Sequence, residues 1–396
     1  MQIRAFCMTV ETGSASVAAL NLFRTQSAIT RLIRDLEHIL NVPLFERHAR
    51  GMMLTDIGSV IFPRAKSALE ELNQIPYILS RLQPKYGRAT ELKEPSWLYN
   101  ENRLLIFLGL HKKHYTLHVA NDLNITQPAV SAAVKVMEKG ASTPLFYRTP
   151  KGMVPTPASN EIAPFISRAL NSIKRIPEDI EAYQGNITGT IYVGALPLSR
   201  AWILPEAIIE LMSKNRNVKV ATNESDFSNL LAGLSSGEID FIIGALRSEE
   251  SFPEIKTEIL FEEELILLAR PNHPLTDKHV GFKDLKDTQW ILSRNNAPSR
   301  HLLNTEFKKI GLSAPKPTVE SGDLAVVRGL LLRSDMVAVV SSHQLDYEVS
   351  QGILVPLRVK LGGTKRGIGL MTRHNSIPTP AANALASCIR QVVRNT

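Results

Sequence analysis

Only two cysteines, Cys7 and Cys388, occur in 396 residues, and they lie at opposite ends of the chain. That is too few for a disulfide framework or a Cys-rich zinc site, and it fits a reducing compartment. No apolar run approaches the ~18–20 residues of a membrane helix. The strongest candidate is bracketed by Glu262-Glu263-Glu264 and Arg270. The stretch Met1-Gln2-Ile3-Arg4-Ala5-Phe6 has no secretory apolar core, and Glu11 interrupts any run beyond it. HExxH, GxSxG and a Walker P-loop are missing. Gly362-Gly363-Thr364-Lys365-Arg366-Gly367 lacks the GK[ST] order, and His111-Lys112-Lys113-His114 reads as a solvated helical face. A cytoplasmic protein that is not an enzyme is therefore expected, with no catalytic residue, metal, cofactor or membrane partner.

What is present can fold: 44% of the residues are hydrophobic, enough to bury real cores and exclude wholesale disorder. The net charge of +8 is uneven, with +6 on residues 1–186 and +2 on the rest. A basic first half suggests a polyanionic partner for that half.

Sliding the sequence by 101 residues superimposes Phe6 on Phe107 and keeps register, without a gap, to Pro76 on Pro177. Twenty of the aligned pairs are identical. They include Thr25-Gln26-x-Ala28 with Thr126-Gln127-x-Ala129, and Pro43-Leu44-Phe45-x-Arg47 with Pro144-Leu145-Phe146-x-Arg148. Chance does not sustain one ungapped register over that length, so a duplicated module is expected. The aperiodic stretch 84–102, with Pro84, Gly87 and Pro95, reads as a linker between the copies. The expected domains are 1–83, the linker 84–102, 103–186, and 187–396.

Within the first copy, residues 16–21 have the spacing of a short helix. Residues 26–40 place Ile29, Leu32, Ile33, Leu36 and Ile39 on one apolar helical face. Thr25 suits the N-cap, and Thr30, Arg31, Arg34 and Asp35 take the opposite face. Two helices joined by a short turn form a helix-turn-helix, and residues 43–55 suit a two-stranded wing. The string Gly13-Ser14, Ala18-Ala19, Leu22, Gln26-Ser27-Ala28-Ile29-Thr30-Arg31, Leu36-Glu37, Val42-Pro43-Leu44-Phe45-Glu46-Arg47 resembles the winged helix-turn-helix of LysR-type transcriptional regulators. Copy two resembles it through Ala120, Leu123, Gln127-Pro128-Ala129-Val130-Ser131, Glu138 and Pro144-Leu145-Phe146-x-Arg148. Most members of that family have one such module.

DNA chemistry assigns the side chains. Gln26 and Gln127 open the recognition helices, where an amide can read adenine edges. Thr30 and Ser131 suit phosphate or base contact, and Arg31 and Arg34 guanine or phosphate. Arg47, Arg50, Arg148 and Lys151 suit phosphate contact from the wings. Ser27 stands where copy two has Pro128, and Lys135 where copy one has Arg34. Ala132 and Ala133 replace Arg31 and Leu32, which makes the second surface less basic.

Long helical patterns follow each copy, near 56–82 and 158–183, and Pro76 and Pro177 should kink them. The resemblance implies that such helices pair antiparallel between subunits. The duplication suggests that here they pair within one chain.

Residues 190–396 alternate strand-like runs (190–194, 218–222, 241–244, 264–269, 290–293, 336–340) with helical patterns, as in α/β folds with a largely parallel sheet. Through Gly189-Thr190-Ile191-Tyr192-Val193-Gly194, Leu204-Pro205, Leu234-x-x-Gly237-Glu238-Ile239-Asp240-Phe241 and Pro271-Asn272-His273-Pro274-Leu275 they resemble the family's effector domain. The fold class implied is multidomain α+β. Two winged helix-turn-helix domains with linker helices precede an α/β type II periplasmic-binding-protein-like effector domain of two subdomains, crossed near 268–272 and 340–343. Ligands of such sheets bind beyond strand C-termini. That rule selects Leu196, Pro197, Leu198, Ser199 and Arg200; Glu224, Ser225 and Phe227; Ser293, Arg294, Ser299 and Arg300; and Ser321 and Asp323. Arg294 or Arg300 would neutralise an anionic effector. The expected partners are double-stranded operator DNA, a small-molecule effector, RNA polymerase for an activator, and a second copy in a homodimer. The rival reading is a small-molecule-binding protein or enzyme whose DNA-binding modules are architectural.

Overall fold

The computed structural model describes residues 1–48, 51–82, 95–276, 279–359 and 361–395. They form two units, 1–189 with 235–238, and 190–234 with 239–396.

In the first unit, α1 (Gln2–Thr12), α2 (Ala15–Asn21) and α3 (Gln26–Leu40) precede an antiparallel hairpin, β1 (Phe45–His48) and β2 (Gly51–Leu54), and a long α4 (Asp56–Arg81). The same order returns in α5 (Glu101–Lys113), α6 (Thr116–Asp122), α7 (Gln127–Ala141), β3 (Phe146–Thr149), β4 (Gly152–Pro155) and α8 (Pro157–Lys174), followed by α9 (Ile176–Tyr183). The repeated motif residues are largely structural. The Thr25 and Thr126 hydroxyls accept the Ala28 and Ala129 amides and so fix where α3 and α7 begin. Glu37 Oε1 accepts from the amides of Leu44 and Phe45 at 2.8 and 3.1 Å, tying α3 to its hairpin. Glu138 does the same for Leu145 and Phe146 at 3.0 and 3.2 Å. Thr55 and Thr156 cap the long helices while donating to the carbonyls of Pro43 and Pro144.

Each core is completed by the far end of the other copy's long helix. Phe6, Ile29, Ile33, Leu44 and Ile61 pack with Ile176 and Ile180 of α9. Phe107, Leu110, Val134, Met137 and Ile162 pack with Leu72, Ile75 and Leu79 of α4. The long helices are antiparallel: Asp56 meets Tyr183, Arg64 meets Asp179, Glu71 meets Arg168 and Arg81 meets Glu161. Arg64 and Asp179 are buried and bidentate, Nε to Oδ2 at 2.5 Å and Nη2 to Oδ1 at 2.9 Å.

Pro76 and the linker differ from expectation, whereas the expected interruption at Pro177 is present. Helix α4 runs unbroken through Pro63 and Pro76, held by its packing, whereas α9 restarts so that Pro177 falls in its first turn, where a missing N–H costs little. Much of the supposed linker, 84–94, lies outside the described residues. The rest of it is not a spacer. Ser96–Tyr99 forms a 3-10 turn, and Trp97 and Leu98 are buried in the second core. A Cβ at Gly140 of α7 would stand 2.4 Å from the Trp97 ring, so glycine makes room for it.

The second unit begins with β5 (Gly189–Ala195), α10 (Pro197–Ala201), α11 (Ile203–Lys214), β6 (Val218–Asn223), α12 (Phe227–Ser235), β7 (Phe241–Ala245) and β8 (Ile255–Glu263). It continues through β9 (Leu265–Ala269), β10 (Gln289–Leu292), α13 (Pro298–Lys309), β11 (Pro317–Glu320), α14 (Leu324–Leu331), β12 (Met336–Ser341), α15 (Asp346–Ser350), β13 (Val355–Pro356), β14 (Arg366–Arg373) and α16 (Pro380–Arg394). One sheet has the order β6-β5-β7-β14-β8 and the other β11-β10-β12-β9-β13. Both are mixed rather than largely parallel. β5/β7, β10/β11 and β10/β12 are parallel, while β14 runs antiparallel to β7 and β8, and β9 to β12 and β13. The crossings also move. Because β9 already pairs with β12, the first crossing is at Glu264 rather than 268–272. Because β13 pairs with β9, the return comes between β13 and β14 rather than at 340–343.

Candidate functional site

Two candidate sites stand out. On α3, the apolar face (Ile29, Ile33, Leu36) is buried and Gln26, Ser27, Arg31 and Arg34 are exposed, with Thr30 half-buried beside them. Gln26, Arg31 and Arg34 make no hydrogen bond or ion pair with the described residues, so their donors are available to a ligand. On α7, Gln127, Pro128, Ala132 and Lys135 are exposed and Ser131 is half-buried. Gln127 is not free: its amide donates to the Thr116 hydroxyl at 2.9 Å, a bond that Ala15, the corresponding residue of copy one, cannot make. Arg148 and Lys151 are exposed on the β3–β4 hairpin. Arg47 lies on β1 opposite Met52, and Arg50 lies outside the described residues.

The second candidate is a cavity of about 590 Å³ between the two sheets of the second unit. Twelve of the fourteen selected residues line it, among them Leu196, Arg200, Phe227, Ser293, Arg294 and Asp323. Ser199 and Arg300 do not. Ser199 is fully buried and its hydroxyl donates to the Leu196 carbonyl at 2.9 Å. Arg300 shares a helical face with Leu303 and Phe307, so it points into the subdomain core and donates to the Pro315 carbonyl at 2.8 Å. Burial lowers its pKa.

Four arginines line this cavity: Arg294 is exposed, and Arg200, Arg247 and Arg366 are half-buried. Arg200 donates to the carbonyls of Ala195 and Glu224 at 2.8 and 3.0 Å, and desolvation lowers its pKa. Arg366 is neutralised by Glu263 Oε1 at 2.7 Å and also donates to the Ser341 hydroxyl. Arg247 lies 4.5 Å over the Phe227 ring and donates to the Ala245 carbonyl, with no carboxylate in ion-pair range among the described residues. Burial, then the neighbouring Arg366, pulls its guanidinium down to about 10, still cationic at neutral pH. The lining carboxylates of Glu224, Asp226, Glu320 and Asp323 are all on exposed residues. Apart from the buried Glu263 that pairs with Arg366, the carboxylates at the cavity are exposed, while Arg200, Arg247 and Arg366 are half-buried. Sequence reading missed Arg247 and Arg366. Arg247 follows β7 and was within reach of the strand-end rule; Arg366 opens β14, a strand not foreseen.

Among the described residues no helix is long and apolar enough to cross a membrane. Comparison with known proteins gives two family matches. Residues 1–59 and 102–160 each match the bacterial regulatory helix-turn-helix protein, lysR family, and residues 184–394 match the LysR substrate binding domain. The HTH-type transcriptional regulator GalR of Pseudomonas putida is 46% identical over 393 residues, covering 99% of this chain and 97% of that one. An uncharacterised HTH-type transcriptional regulator of Escherichia coli, YdcI, is 28% identical over 69% of this chain and 89% of its own. Among solved structures, full-length OxyR from Pseudomonas aeruginosa is similar with a TM-score of 0.57 at 21% identity, covering 74% of this chain and 94% of its own. CbnR, a LysR family transcriptional regulator, has a TM-score of 0.52 at 16% identity, covering 74% and 98%. Both solved structures are nearly used up by the match while about a quarter of this chain is left over.

Proposed function

The chain belongs to the LysR family of bacterial transcription regulators, and we propose that it binds operator DNA through two winged helix-turn-helix modules under the control of an anionic small molecule. One observation carries this reading: two exposed, equivalently capped recognition helices, α3 and α7, fall in two separate matches to the family's helix-turn-helix. In this reading Gln26, Ser27, Thr30, Arg31 and Arg34, with Gln127, Pro128, Ser131 and Lys135, face the major groove. Arg47, Arg50, Arg148 and Lys151 hold the phosphates. The effector lies in the cavity of the second unit with its anionic group on Arg247 and Arg200, and Ser293 and Ser299 supply hydroxyls. Two modules per chain mean that a homodimer already supplies four, and a dimer is the state we assign; RNA polymerase is a partner if the protein activates.

A mobility-shift assay of the full chain on its own upstream DNA tests the first half. Retarded duplex that is released at high salt is expected. No shift, together with turnover of a metabolite, sinks the regulator reading in favour of the enzyme. Thermal-shift screening with sugars, aromatic acids and dicarboxylates tests the second half. Stabilisation by neutral sugars alone contradicts the anion assignment.

A further inference from the structure

We propose that the two DNA half-sites contacted by one chain differ in sequence, one read through guanine by α3 and the other through thymine methyls by α7. This rests on the DNA-binding reading above and adds the class of sequence each helix takes.

Buried charge decides which long helices pair. Arg64 of α4 is buried against Asp179 of α9. The 101-residue shift puts Phe165 and Ile78 at the corresponding positions, both in the apolar core of the second copy. Two copies of α4 laid antiparallel in the same register would set each Arg64 against Ile78. Two copies of α8–α9 would set each Asp179 against Phe165. Either arrangement leaves two buried charges uncompensated, which is strongly unfavourable. Glu71 with Arg168 follows the same rule, since their counterparts are Ser172 and Ser67. Pairing is thus selected to be unlike with unlike, and every pair presents one α3 and one α7.

The exposed faces of α3 and α7 differ in chemistry. Position by position, exposed Arg31, Arg34 and Asp35 of α3 become exposed Ala132, Lys135 and Val136 of α7. Arg31 and Arg34 each offer two parallel donors to guanine O6 and N7, whereas Ala132 and Val136 offer only apolar contact, which suits the thymine methyl, and Lys135 is left as the one exposed cation among these three positions of α7. Gln26 is unengaged and Gln127 is bonded to Thr116, so even the shared glutamine starts from different states. Two such surfaces do not read one sequence.

The experiment is selection from a randomised duplex pool with the full-length protein, followed by mobility shifts of Arg31→Ala and Ala132→Arg on the selected sites at fixed salt. Two classes of half-site are expected, one containing guanine and one rich in A·T. Arg31→Ala should weaken binding roughly tenfold to a hundredfold and relax the guanine preference in the first class alone. Ala132→Arg should bring a guanine preference into the second class. Both positions are on the surface, and unchanged melting curves confirm that the variants fold. A single class of half-site, or an Arg31→Ala effect spread equally over both halves, overturns the inference while leaving the regulator reading intact. Failure to retain any duplex overturns both.

Discussion

At Phe23, in the turn between α2 and α3, the backbone takes φ +53°, a left-handed conformation that costs a bulky residue about 1–2 kcal/mol. The ring is 94% exposed and recovers little of that cost by packing. The corresponding residue of copy two, Asn124, has φ +52° and a side chain suited to it. Phe23→Asn should therefore raise stability by roughly 1 kcal/mol in denaturant unfolding. A loss of stability would show that the exposed ring has a packing role after all. Arg247 makes the opposite bargain, since it is an incompletely neutralised cation that stabilises the unliganded protein little. Arg247→Met should leave the melting temperature of the free protein unchanged or higher and weaken anion binding by about 1.5–3 kcal/mol in calorimetry. A variant that melts lower and still binds would make this arginine structural.

At the scale of elements, the buried pair between α4 and α9 is tested by a double-mutant cycle. Arg64→Phe or Asp179→Ile alone strands the other charge and should cost about 3–5 kcal/mol. The double variant, which copies the residues found at Phe165 and Ile78, should recover most of that loss. Unlike pairing should persist in the double variant, because Glu71 with Arg168 still enforces it. Additive losses in the cycle would mean that the two side chains are not coupled. The recognition helices themselves were legible in sequence because apolar spacing and threonine caps act locally, and α3 has the predicted bounds of 26–40. This ion pair was not, because it depends on a register between helices more than a hundred residues apart. Arg300 was misassigned for a similar reason: one position along α13 separates Ser299, which lines the cavity, from Arg300, which meets the core. Polar β8 and glycine-bearing β14 escaped notice because they carry neither a clean alternation nor a continuous apolar run.

For the whole molecule, the first unit contains both recognition helices and both long helices, and each core needs the other copy's helix end. A fragment of residues 1–186 should therefore be folded and monomeric at micromolar concentration in sedimentation equilibrium. An obligate fragment dimer would mean that the helices pair between chains instead. The within-chain arrangement bears on abundance. Partners on one chain meet at an effective concentration on the order of millimolar, whatever the number of molecules in the cell. A reader assembled from two separate chains loses its paired form on dilution, by mass action. Here the occupancy of a single pair of half-sites should rise linearly with protein level at low levels, without the threshold that a preceding dimerisation imposes. One chain would then already offer both unlike reading heads, and dimerisation would add a second pair rather than complete the first.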